Sequence, residues 1–118
     1  MRRGDKELLL DILEACERIE SYTQGLNYED FLNNIEKQDA VIRNIEIIGE
    51  ASKNISNDLK NRYRSVEWRK ISGMRNKLIH EYFGIDVEIV WLVVKEEIPT
   101  LKRTVMKILE EMFGYPGR

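Results

Sequence analysis

The chain is poor in the residues that staple, ligate and break. Among 118 residues there are one cysteine, one histidine and two prolines. A single cysteine, Cys16, excludes an internal disulfide and any cysteine metal cluster. A single histidine, His80, leaves no histidine metal cluster, and no serine or cysteine nucleophile motif is present. No metal site and no cofactor is therefore expected. No stretch approaches the roughly 18 unbroken apolar residues that a membrane span needs. The N-terminus, "MRRGDKELLL", is basic, but its apolar run is short and soon broken by charge, unlike a signal peptide. The expectation is a cytoplasmic protein without a membrane segment.

Apolar residues make up 42% and charged residues 34%, the balance of a soluble globular protein with one domain over residues 1–118. The net charge of −2 hides an asymmetry. Between Lys60 and Lys77 stand seven lysines and arginines against Glu67 alone, a local charge of +6 that leaves −8 to the rest. Arg69, Lys70, Arg75 and Lys77 belong to this run. Such a run is either a solvated face or a local anion-binding surface, and charge alone leaves both open.

With proline confined to Pro99 and Pro116 and the glycines mostly between periodic segments, the punctuation is that of a helical protein. The first helix is expected from Asp5, as N-cap, to about Tyr22, with Leu9, Ile12, Cys16 and Ile19 on one face. A buried packing role suits Cys16. A short helix around Tyr28–Asn33 leads into a long one from about Ile35 to Ile55. Val41, Ile45, Ile48 and Ile55 mark its buried side, and Gly49 and Ala51 allow a neighbour to approach. A connection with one helical turn precedes a helix from about Val66 to Tyr82, closed by Gly84 as a left-handed cap. Asp86 is the N-cap of the last helix, to about Phe113. There Trp91, Val94, Ile98, Leu101, Val105, Ile108 and Met112 form a heptad seam, and Pro99 should kink or divide it. The fold class is all-α, an antiparallel bundle of four to five helices.

The stretch "RNKLIHEYF" places Arg75, Asn76, His80 and Tyr82 close together. On a helix turning about 100° per residue, Ile71, Met74 and Leu78 face the core. Ser72, Asn76 and His80 then share a small, polar, opposite face, suited to a close contact or a cleft. Asn76 lies one turn before His80 and can fix its imidazole. Arg75 projects about 140° away from His80, so one chain makes a poor pocket and two copies around a dyad a better one. Histidine moves protons near neutral pH, and arginine holds phosphate oxygens. Chemistry that needs only a base, an acid and a phosphate clamp is metal-free RNA cleavage by the RNA's own 2′-hydroxyl, with Arg75 stabilising the transition state. A histidine near a helix end also serves as a dipole partner, and a lone Tyr82 also serves as a packing aromatic. The spacing leaves those roles open.

The segment "GMRNKLIHEYFGID" resembles the signature of the HEPN superfamily, specifically its HepT-like branch of toxin–antitoxin systems. Arg75, His80 and Tyr82 match that motif of arginine, four residues, histidine, one residue and tyrosine, and Asn76 matches the polar residue after the arginine. The likeness extends to "AVIRNIEIIGEASKNIS", to "VEWRKISGMRN", and to Asp86, Trp91 and Pro99. It implies a HEPN-like helical bundle that forms a homodimer with both motifs lining a composite cleft. It implies a metal-independent ribonuclease toxin, with Arg75 and His80 as the catalytic pair, Asn76 as support, and RNA as substrate. The expected partner is a small nucleotidyltransferase antitoxin of the MntA type, as in type VII-like systems, which transfers AMP to Tyr82. Because Gly84 ends the helix, the Tyr82 hydroxyl is expected at the cleft rim. Arg69, Lys70 and Lys77 would add RNA contacts. The alternative is a non-catalytic helical subunit that binds a substrate or partner for a nucleotidyltransferase.

Overall fold

The computed structural model describes residues 4–80 and 84–115, and of His80 the backbone only. Three long helical rods carry the fold. Helix α1 spans Asp5–Thr23, α3 spans Ile35–Lys53, and α6 (Val87–Leu92) continues through a widened turn, Val93–Glu97, into α7 (Ile98–Phe113). Three short helices lie between the rods: α2 (Tyr28–Leu32), α4 (Asn57–Arg62) and α5 (Trp68–Ser72). The class is all-α, as the periodicity indicates.

The apolar stripes meet as their spacing requires. Leu9, Ile12, Cys16 and Ile19 of α1 are wholly buried, as are Val41, Ile45 and Ile48 of α3. Val94, Ile98, Leu101, Val105 and Ile108 close the core from the third rod. Each such aliphatic side chain contributes about 1.5–3 kcal/mol by leaving water. Burial also pushes the Cys16 thiol up to about 12, with Glu20 adding to the effect, so it is a packing residue and not a nucleophile. Polar ties fix the rod directions. Asp5, at the start of α1, accepts hydrogen bonds from the Ser56 amide at 2.8 Å and hydroxyl at 2.5 Å, just beyond the end of α3. Lys102, early in α7, meets Glu20, late in α1, at 2.7 Å. Both neighbours of α1 therefore run antiparallel to it.

The helix limits follow local chemistry, with three departures from expectation. Asp5 is not an N-cap: Gly4 holds that position without a side-chain bond, and the Asp5 carboxylate is spent on Ser56. The connection after α3 holds a helix of six residues, α4, capped by the Ser56 hydroxyl. The third departure concerns the helix expected from Val66 to Tyr82. It stops at Ser72. Gly73 caps α5, donating its amide to the Arg69 carbonyl, and Met74–Leu78 then winds as a tighter 3₁₀ turn. Ile79 and His80 follow as an extended pair, antiparallel to Gly84–Ile85. Glycine, asparagine and the β-branched Ile79 are weak helix formers, and the short run offers few internal bonds to override them. Gly84 has a φ of +78°, the left-handed conformation expected of it, but it opens the return strand and does not cap a helix.

Elsewhere the expectations hold. Asp86 caps α6, its carboxylate accepting from the Ile89 amide at 3.2 Å. Pro99 lacks an amide proton and its ring crowds the preceding turn. The chain answers with a π turn, in which the Ile98 amide bonds to the Val93 carbonyl.

Candidate active site

The site is built where α5 and the 3₁₀ turn cross α3. Gly49 of α3 makes the crossing possible: a Cβ there would stand 3.1 Å from the Ser72 carbonyl oxygen. One turn further along α3, the buried Ser52 hydroxyl meets the Ser72 hydroxyl at 3.1 Å. Ser72 also donates to the Trp68 carbonyl at 3.0 Å. It therefore faces α3 and not a free polar stripe, which corrects the arrangement expected from a regular helix. The correction is physical: the change to a 3₁₀ turn at Gly73 ends the 100° bookkeeping on which the stripe of Ser72, Asn76 and His80 relied.

The core anchors nonetheless point as expected. Ile71, Met74 and Leu78 are buried, and the three residues between the last two, Arg75, Asn76 and Lys77, are all exposed. A tight turn pinned at both ends thus presents an arginine, an asparagine and a lysine side by side.

Arg75, Lys77 and Lys70 are each met by an acid from another element. The Arg75 Nε–H donates to Glu46 Oε1 of α3 at 2.9 Å. Lys77 pairs with Glu97 of the π turn, and Lys70 stands 3.6 Å from Glu97 and 4.0 Å from Glu67. The basic run of the sequence is therefore partly answered in the fold, by Glu46 and Glu97. Arg69 is exposed beside it. These pairs are solvent-exposed and add little stability, at most about 1 kcal/mol each.

Composition alone did not point to Glu46 or Glu97. A register argument finds the first. If Gly49 meets Ser72 on an antiparallel crossing, then the residue three before Gly49 meets the residue three after Ser72, which pairs Glu46 with Arg75. Glu97 depends on the turn that Pro99 widens, and no local pattern announces it.

The backbone of His80, five residues beyond Arg75, is paired with that of Gly84. The expected bond from Asn76 to its imidazole and the whole of Tyr82 lie outside the described residues. A hollow of about 440 Å³ opens between α5 and α7, lined by Lys70, Met74, Glu97, Thr100, Thr104 and Lys107, and Arg75 is not part of its wall. Among the described residues no group of three or more His, Cys, Asp or Glu side chains gathers where it could hold a metal ion, and no helix is long and apolar enough to cross a membrane.

The family described as "Ribonuclease HepT-like" matches residues 12–108. The "Probable ribonuclease HepT" of Thermococcus cleftensis is 54% identical over 102 residues, covering 86% of this chain and 93% of that protein. A Methanocaldococcus jannaschii protein with a provisional RNase name is 44% identical over 104 residues, covering 88% of this chain and 95% of its own. A longer protein of the same organism, whose name joins gamma-glutamylcyclotransferase to a provisional RNase, is 46% identical over 112 residues; the match covers 95% of this chain and 50% of that one. No solved structure matches the chain.

Proposed function

The chain belongs to the HepT-like ribonuclease family, and from that membership we propose that it is a metal-independent endoribonuclease, the toxin of a type VII-like HEPN/MNT toxin–antitoxin system. The observation that carries the reading is the pinned turn. Met74 and Leu78 are anchored in the core, and they leave Arg75 and Asn76 exposed just ahead of His80.

In this reading the RNA 2′-hydroxyl gives its proton to His80 as its oxygen attacks the adjacent phosphorus. The bond from phosphorus to the 5′ oxygen breaks, and that oxygen takes up a proton from water. The products are a 2′,3′-cyclic phosphate and a 5′-hydroxyl. Arg75 stabilises the charge that gathers on the phosphoryl oxygens, and Asn76 orients the imidazole. Arg69, Lys70 and Lys77 draw the RNA backbone towards the site.

The active form is a homodimer with both motifs in one cleft. Support comes from the exposed apolar pair Ile79 and Ile85, which face each other in the ladder next to the motif. Neutralisation is by an MntA-like nucleotidyltransferase. The Tyr82 hydroxyl attacks the α-phosphorus of ATP, pyrophosphate leaves, and Tyr82 carries AMP. The added phosphate and nucleotide then occupy the place that RNA phosphates need.

The test is expression in a growing cell. Expression of this chain alone should arrest growth, and co-expression of a cognate nucleotidyltransferase should relieve the arrest. His80→Ala should be harmless while remaining a folded dimer. Tyr82→Phe should stay toxic and escape modification. Toxicity unchanged in His80→Ala would favour the rival role, a subunit that only binds a substrate or partner.

A further inference from the structure

The contact between Arg75 and Glu46 engages the Nε side of the guanidinium. The bond runs from the Nε–H to Glu46 Oε1, at 2.9 Å. A guanidinium carries five donors in a planar fork. A carboxylate at Nε leaves the two Nη groups, which form the outer edge, able to take a second partner. That outer edge is the one that grips two oxygens of a phosphate at once. The side chains of Arg75 and Glu46 are 46% and 34% exposed, so the pair lies open to a ligand and is not sealed in the core.

The pair is held by the buried crossing behind it. Gly49 fits against the Ser72 backbone, and the Ser52 and Ser72 hydroxyls meet. Glu46 precedes Gly49 by one helical turn, and Arg75 follows Ser72 by three residues. The register that seats α5 on α3 also delivers the carboxylate to Nε. An exposed pair adds little to folding, so its effect should be sought in the arginine's freedom.

We propose that Glu46 is a positioning residue: it holds Arg75 by Nε and so presents the Nη edge to the phosphate that is cleaved. The proposal rests on the reading of Arg75 as the phosphate clamp. An unheld arginine must be ordered at each turnover, and ordering one such side chain costs about 3- to 10-fold. Glu46 also has an opposing effect, because its negative charge repels RNA. Positioning acts on kcat, and repulsion acts on KM. Glutamine separates them, since its carbonyl still accepts from Nε but carries no charge.

The experiment measures RNA cleavage by wild type, Glu46→Ala, Glu46→Gln, Arg75→Ala and the double variant Glu46→Ala/Arg75→Ala. Melting temperatures are recorded beside the rates. Glu46→Ala should lose about 3- to 10-fold in kcat with an unchanged melting temperature. Glu46→Gln should keep the wild-type kcat and show a lower KM at low salt. In the Arg75→Ala background, Glu46→Ala should have no further effect on kcat, because the group it holds is gone. The proposal is overturned if Glu46→Ala keeps the full kcat while Arg75→Ala loses it. It is also overturned if alanine and glutamine lower kcat equally, or if the Glu46→Ala loss persists without Arg75. If Arg75→Ala itself cleaves like wild type, the reading of the active site falls and the positioning role falls with it.

Discussion

In α1, Leu9, Ile12, Cys16 and Ile19 recur every three or four residues and all four are wholly buried. In the Met74–Leu78 turn, two buried anchors bracket three exposed polar residues within a single 3₁₀ winding. The first region spends its sequence on burial, and its regular backbone satisfies its own hydrogen bonds. The second gives up helical regularity to put an arginine, an asparagine and a lysine at the surface next to His80. Stability should therefore be lost by changes in the rods and activity by changes in the turn.

The largest expected effects test that division directly. Arg75→Ala should lower the cleavage rate by roughly 100- to 1000-fold, as expected when a donor to the transition state is removed. Its denaturation midpoint should hardly move. Ile12→Ala should do the reverse, costing about 2–5 kcal/mol of stability with an unchanged rate per folded molecule. Chemical denaturation and single-turnover cleavage on the same samples decide the matter. If Ile12→Ala slows the folded fraction as much as Arg75→Ala does, the two regions are not separable.

Gly49 links the regions, and Gly49→Val should affect both. Its side chain would meet the Ser72 carbonyl, a backbone atom with little room to yield. About 1–3 kcal/mol of stability should be lost to overpacking. The rate should fall as well, because the displaced segment carries Arg75. A stability loss with the full rate would mean that the turn is positioned independently of α3.

Glu97→Ala should change little in stability, by less than about 1 kcal/mol. It releases Lys70 and Lys77, so RNA should bind more tightly at low salt and the salt dependence should steepen. Binding titrations at two or more salt concentrations measure this. An unchanged salt slope would remove those lysines from the RNA surface. The smallest effect concerns Cys16, whose buried thiol is pushed up to about 12. Iodoacetamide at neutral pH should label it only in denaturant, with no loss of activity in the native protein.

The same contrast explains what the sequence discloses. The rods were legible because burial writes itself at the helical period: the seam from Val94 to Ile108 and the stripe of α1 are both as spaced. Gly49 was legible as a point of close approach, and Pro99 as an interruption. The motif residues are named from their family likeness, and among them the fold exposes Arg75 and Asn76. The shape of the segment that carries them was not legible. A periodic reading of Ile71, Met74 and Leu78 places those anchors correctly in a helix and in a 3₁₀ turn alike, so it could not tell the two apart. Asp5 departs from the cap rule because its carboxylate serves Ser56, 51 residues away, and that rule sees only neighbours. Glu97 escapes for the same reason, since a long-range ion pair has no local signature, and Glu46 follows only once Gly49 is known to meet Ser72.

The most direct test of the central claim is the chemistry of the RNA ends. The protein not carrying AMP, incubated with an RNA oligonucleotide in EDTA, should cleave it and leave 2′,3′-cyclic phosphate and 5′-hydroxyl ends by mass spectrometry. His80→Ala, folded to the same extent, should lose at least about 100-fold in rate. Cleavage that appears only with Mg²⁺ and leaves 5′-phosphate ends would contradict the histidine–arginine account.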